Sequence, residues 1–147
     1  MKAVIQKSGN AKVEVDGKIT GEIQKGLVIL IGITNDDTEK DIDFMVDKIT
    51  NLRLFEEGEK FFEKSVLDKT KEVLIISQFT LYASCKKGRR PDFINAAKGD
   101  FAEPMYNKLV DKLRANGIKT ETGVFGAMMN VSLTNEGPIT IILDSKE

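Results

Sequence analysis

The sequence predicts a single α+β domain over residues 1–147, with mixed and antiparallel sheets and about two main helices packed on one side. Three observations lead there. The 147 residues fit one domain and bury roughly two thirds of their unfolded surface, so neither disulfides nor metal are needed for folding. The apolar pattern switches between period 2 and period 3.6, giving about seven short strands and only two helices. Those elements do not alternate regularly, as a doubly wound fold requires.

Each element has its own reason. Lys2 to Lys7 reads as a strand, Ser8-Gly9-Asn10 as a turn, and Lys12 to Val15 as the returning strand. Asp16-Gly17-Lys18 turns again before an extended piece through Ile23. Gly26 to Ile33 is apolar on both faces, as a central strand is. Thr38 to Leu52 carries Ile42, Met45, Val46, Ile49 and Leu52 in one helical stripe, and Thr38 with Asp41 resembles a capping box. Between Arg53 and Lys64 only a turn at Glu56-Glu57-Gly58-Glu59-Lys60 is legible. Glu72 to Ser77 is a buried strand. The second helix spans Asp100 to Asn116, with Phe101, Met105, Leu109 and Leu113 on one face; Pro104 is tolerable only in its first turn, and Asn116-Gly117 stops it. Lys119 to Thr122 is extended. Met128 to Thr134 alternates as a strand, Asn135-Glu136-Gly137-Pro138 interrupts, and Ile139 to Leu143 forms the last strand.

Composition excludes whole classes of chemistry. There is no histidine, which removes Ser-His and Cys-His nucleophile pairs, histidine metal ligands and a histidine pH switch. One cysteine permits neither an internal disulfide nor a thiolate zinc cage, and suits a reducing cytoplasm. Basic and acidic side chains number 22 and 23, so no global field draws the chain to DNA; any nucleic-acid contact must use a local patch. The longest apolar run, Leu27 to Ile33, is far short of the ~20 residues of a membrane span. The start of the chain lacks the pattern of an export signal.

Phosphate-binding glycine loops, the G-x-S-x-G elbow and calcium loops are all absent. The acidic run Asp36, Asp37, Glu39, Asp41, Asp43 reads as a helix-dipole complement and solvated face. Three segments stand out. Ser77-Gln78-Phe79-Thr80-Leu81-Tyr82 follows a buried strand directly; its hydroxyls, amide and backbone N–H groups could polarise a carbonyl without any titrating group, or could simply cap a strand end. Lys86-Lys87-Gly88-Arg89-Arg90-Pro91 is a stiffened basic loop suited to phosphates, although ordinary solvated loops look similar. Asn135-Glu136-Gly137-Pro138-Ile139-Thr140 could be a plain turn or hold a cis Gly-Pro bond, with backbone carbonyls facing whatever lies against it.

Taken together, Ser77-Gln78-Phe79-Thr80-Leu81 and Asn135-Glu136-Gly137-Pro138-Ile139-Thr140 resemble the two defining motifs of the D-aminoacyl-tRNA deacylases. The resemblance runs through the whole chain, including Met1 to Gln6, Lys87 to Pro91 and Glu121 to Gly126. It implies a cytoplasmic homodimer, without cofactor, that hydrolyses the ester joining a D-amino acid to tRNA and also removes mischarged glycine. It implies that Gly137 and Pro138, joined by a cis bond, enter the partner's pocket and exclude L-amino acids. Ser77, Gln78, Phe79 and Thr80 then line the pocket, and Phe125 and Ala102 border the terminal adenosine. Lys86, Lys87, Arg89 and Arg90 are the basic residues placed to meet tRNA. Where the family usually has an arginine that holds the Gly-Pro loop, this chain has Lys7, which lacks the planar fork. Phe62-Glu63 stands for a frequent Met-Asn pair, Glu136 for an Asp, and Met128 for a common Asp.

Two mechanisms are open. Thr80 could be a nucleophile, but no base for it is evident. The reading preferred here has backbone N–H groups near Phe79 and Thr80 stabilise the oxyanion while the tRNA's terminal 2′-hydroxyl assists water. Cys85 reads as incidental. A rival from another class is a tRNA- or ribosome-binding module without activity, which the basic loop alone would serve.

Overall fold

The computed structural model describes residues 1–147. In chain order the elements are β1 (Lys2–Val15), β2 (Lys18–Ile23), β3 (Gly26–Gly32), α1 (Glu39–Asn51), β4 (Phe55–Glu57), β5 (Lys60–Lys64), β6 (Glu72–Ser77), a 3-10 turn (Phe79–Tyr82), α2 (Gly99–Ala115), β7 (Lys119–Thr122) and β8 (Asn130–Asp144). The main sheet has the order β2-β1-β3-β6-β7, with β8 also paired to β1. β1 is antiparallel to β2, β3 and β8, whereas β3-β6 and β6-β7 are parallel. The fold is the expected α+β arrangement with a mixed sheet.

β1 organises the sheet. Its first half pairs with β3 and its second half with β2, along one edge. β8 pairs along the whole of the other edge. Period-2 alternation then sorts the side chains. Ala3, Ile5, Leu27, Ile29, Ile31, Val73 and Ile75 face both helices in the larger core. Val28, Leu74 and Ile76 face the other way and pack with Ala11, Val13 and Ile23 in a second core. β3 and β6 are therefore covered on both faces, as their unbroken apolar runs require.

Two expectations are corrected, and the flanks of the expected turn at Glu56 to Lys60 are now defined. Ser8-Gly9-Asn10 is not a turn. β1 runs through it, because Ser8 is fully buried and its Oγ donates to the Thr134 carbonyl at 3.1 Å, and the extra residue is absorbed as a bulge between Ser8 and Ala11. Residues 55–64 form a hairpin, β4-β5, which its mixed and largely exposed residues conceal. Pro104 is the sixth residue of α2 rather than part of its first turn. The buried stripe of that helix is Ala102, Met105, Tyr106, Leu109, Val110 and Leu113, which leaves Phe101 at its margin and 39% exposed.

The acidic run is not all solvated. Asp37 and Asp41 are buried. Asp37 pairs with the Met1 amino group at 2.5 Å, and Asp41 accepts from Ser145 Oγ at 2.6 Å and Lys146 Nζ at 3.1 Å. Thr38 and Asp41 do form the capping box.

Candidate active site

The parallel strands β3 and β6 end side by side, and a cavity of about 580 Å³ opens there. Its floor is Ile31, Ile33, Ile76 and Ser77. Gln78, Phe79 and Thr80 form one wall, Ala97, Gly99 and Ala102 at the start of α2 another, and residues 125–129 with Val131 of β8 the third. Eleven of its 16 lining residues are hydrophobic, and none of the 16 is ionisable. Any charge that develops inside must be met by dipoles.

The strand end offers such dipoles. The Gln78 N–H donates to the Ile31 carbonyl at 2.8 Å, continuing the β3-β6 ladder by one residue. The chain then coils into the 3-10 turn, whose carbonyls accept further along: Leu81 N–H donates to Gln78 O at 3.3 Å and Ala83 N–H to Thr80 O at 3.0 Å. The first N–H groups of a helical turn have no internal acceptor, and those of Phe79 and Thr80 are left without one in the chain. Gly32 makes the close approach possible: a Cβ there would lie 3.0 Å from Leu81 Cβ and 3.1 Å from the Gln78 carbonyl oxygen. Gln78 Nε2 donates to Thr80 Oγ1 at 2.5 Å and fixes that hydroxyl. No carboxylate or amine is positioned to take its proton. Beneath the site, Tyr106 donates to the Ile75 carbonyl at 2.8 Å, and burial holds its hydroxyl well above the ordinary tyrosine range. Its ring packs 5.8 Å from that of Phe125.

The cavity thus gathers Ser77, Gln78, Phe79, Thr80, Ala102 and Phe125. It does not include Gly137, Pro138 or the four basic residues. Gly137 and Pro138 lie further along β8. Gln6 pairs with Thr140 and Ser8 with Asn135, so Lys7 alone opposes Glu136 to Ile139, and this stretch bulges out of the sheet. The Gly137-Pro138 bond is cis. Gly137 has φ +113°, and a Cβ there would lie 2.8 Å from Ile139 Cγ1, so only glycine fits. Lys86, Lys87, Arg89 and Arg90 are all exposed on a loop closed by the Ser84–Asp92 bridge. None of them forms an ion pair within the chain.

One residue was absent from the expected set. Asn135 clamps the neck of the bulge, its Nδ2 donating to the carbonyls of Lys7 at 3.0 Å and Ile139 at 2.9 Å. Its place at the head of the Asn-Glu-Gly-Pro segment was the available signal. The Lys7 side chain does not brace the bulge. It pairs with Glu56 and lies over the Phe55 ring, and this contact holds the Glu56 carboxyl below its usual range.

Known proteins match the chain over nearly its whole length. The family profile described as D-Tyr-tRNA(Tyr) deacylase matches residues 4–144. The chain is 52% identical to the D-aminoacyl-tRNA deacylase of Bacillus cytotoxicus and 53% identical to that of Bacillus mycoides, in each case over 99% of this chain and all of the relative. Among solved structures, a c-Myc DNA Unwinding Element Binding Protein superposes with a TM-score of 0.92 at 42% identity, covering 98% of both chains. A probable eukaryotic D-amino acid tRNA deacylase superposes with a TM-score of 0.82 at 17% identity, covering 97% of both, a likeness of fold alone.

Proposed function

The chain belongs to the D-Tyr-tRNA(Tyr) deacylase family, and from that premise we propose that it hydrolyses the ester joining a D-amino acid to the 3′ end of tRNA. The observation that carries this reading is an apolar cavity with no ionisable lining, whose polar groups sit together at the end of β6. An aminoacyl ester is already activated, so positioning and oxyanion stabilisation suffice without a strong base. Water attacks the carbonyl carbon, and the free N–H groups of Phe79 and Thr80 receive the developing oxyanion. The terminal 2′-hydroxyl of the tRNA relays the water proton, and the ester C–O bond breaks toward the ribose 3′-oxygen, which takes up the proton. Free D-amino acid and intact tRNA leave.

In this reading Phe125 and Ala102 border the terminal adenosine. Gly137 and Pro138 reach the cavity from a second copy of the chain and exclude the side chain of an L-residue, so the working form is a homodimer. Their absence from the lining of their own chain's cavity supports an intersubunit role. Glycine has no side chain for such a filter to reject, so mischarged glycyl-tRNA is a substrate as well. The exposed, unpaired Lys86, Lys87, Arg89 and Arg90 meet tRNA phosphates, and the enzyme works in the cytoplasm.

The test is incubation with D-Tyr-tRNA and L-Tyr-tRNA. Loss of the D-ester with survival of the L-ester is expected. Survival of both would favour a tRNA- or ribosome-binding module, and an active monomer in sedimentation would remove the intersubunit filter.

A further inference from the structure

Phe79 lines the cavity, but its ring also turns outward and is 55% exposed. It meets Phe93, itself 37% exposed, with ring centroids 5.1 Å apart and planes at 62°. The two rings form a small aromatic patch beside the cavity, partly open to solvent. Phe93 directly follows Asp92, whose backbone pairs in both directions with Ser84 at 2.7 and 2.9 Å. That bridge is the neck of the loop bearing Lys86, Lys87, Arg89 and Arg90. On the other side, Ala97 N–H donates to the Ile33 carbonyl at 2.9 Å, so the segment is also fixed at the cavity rim. A continuous path therefore runs from the cavity, over Phe79 and Phe93, to four unpaired cations.

We propose that Phe93, held against Phe79, is a stacking platform for the base immediately 5′ of the terminal adenosine, with the basic loop taking the phosphates that follow. The proposal rests on the deacylase reading and adds a binding residue to it. An aromatic face beside a positive groove is the arrangement that holds single-stranded nucleic acid without reading its sequence, and the 3′ end of tRNA is such a strand. Edge-to-face packing fixes the tilt of the rings before the base arrives, so little side-chain freedom is lost on binding.

The experiment compares D-Tyr-tRNA with D-tyrosyl-adenosine, the same ester lacking every nucleotide upstream. The quantity read is the ratio of kcat/KM for the two substrates in wild type, Phe93→Leu and Phe93→Trp. Loss of one stacked base corresponds to roughly 5- to 150-fold. Phe93→Leu keeps apolar volume and fold but has no π face, and is expected to lower the ratio within that range, mainly through KM for the tRNA. Phe93→Trp is expected to restore it. An unchanged ratio in Phe93→Leu would overturn the platform. A parallel loss on both substrates would do so too, making Phe93 a mere prop for the 3-10 turn. If the wild type cleaves neither ester, the deacylase reading falls, and the platform with it.

Discussion

Thr80 separates two chemistries. Its hydroxyl is within the cavity and accepts from Gln78 Nε2, but nothing beside it can remove its proton. A serine- or threonine-type nucleophile needs such a base, so the proposed mechanism gives Thr80 a positioning role beside the N–H groups assigned to the oxyanion. Thr80→Ala should therefore slow single-turnover hydrolysis of D-Tyr-tRNA by roughly 5- to 150-fold, equivalent to about 1–3 kcal/mol for one lost hydrogen bond. Collapse by many orders of magnitude, or a trapped acyl-Thr80 adduct, would make Thr80 the nucleophile. The same absence of ionisable lining fixes the pH profile. An ester of an α-hydroxy acid, which lacks the substrate's own amine, should show no inflection from the protein between about pH 5 and pH 9. An inflection there would reveal a side chain that the cavity does not display.

At the scale of elements, the proposed function gives specificity to the bulge in β8 and tRNA contact to the loop before α2. The bulge is closed by Asn135. Asn135→Ala should cost about 1–3 kcal/mol in urea unfolding, from two lost acceptor partnerships, and should lower the D/L rate ratio. Unchanged stability and ratio together would show that the bulge holds itself. Neutralising Lys86, Lys87, Arg89 and Arg90 should reduce the salt slope of tRNA binding by up to about 3 with D/L discrimination intact; an unaltered slope places the tRNA elsewhere. Much of this level was legible in the residues. The strand ending at Ser77, both helices and the exposed basic loop follow from periodicity and composition alone. Continuity of β1 through Ser8-Gly9-Asn10 did not, because turn residues in one strand were accommodated by a bulge set by pairing with β8. The β4-β5 hairpin was hidden for a related reason: its residues are mostly exposed, so burial left no alternation to read. Asn135 escaped because half of its clamp is a contact with Lys7, far off in sequence.

On the scale of the whole molecule, the charges that matter to stability lie away from the cavity. Burial pushes the Asp41 carboxyl up, but hydrogen bonds from Ser145, the Thr38 N–H and Lys146 outweigh it and hold the group well below its unfolded value near 3.8. A depressed carboxyl contributes stability that is complete above the unfolded value and is lost as pH falls through the folded one. The protein should therefore lose stability on acidification below about pH 4. Asp41→Asn should be less stable at neutral pH and show a shallower acid loss in denaturant titrations; an unchanged acid limb would place the linkage elsewhere. Catalysis, by contrast, is assigned to fixed N–H dipoles and to a hydroxyl that the substrate itself brings. Single-turnover hydrolysis by the wild-type protein of D-Tyr-tRNA ending in adenosine, against the same tRNA ending in 2′-deoxyadenosine and charged on its 3′-oxygen, tests that assignment most directly. Rapid cleavage of the first and a large loss with the second are predicted; equal rates would contradict it and return the chemistry to the protein's own side chains.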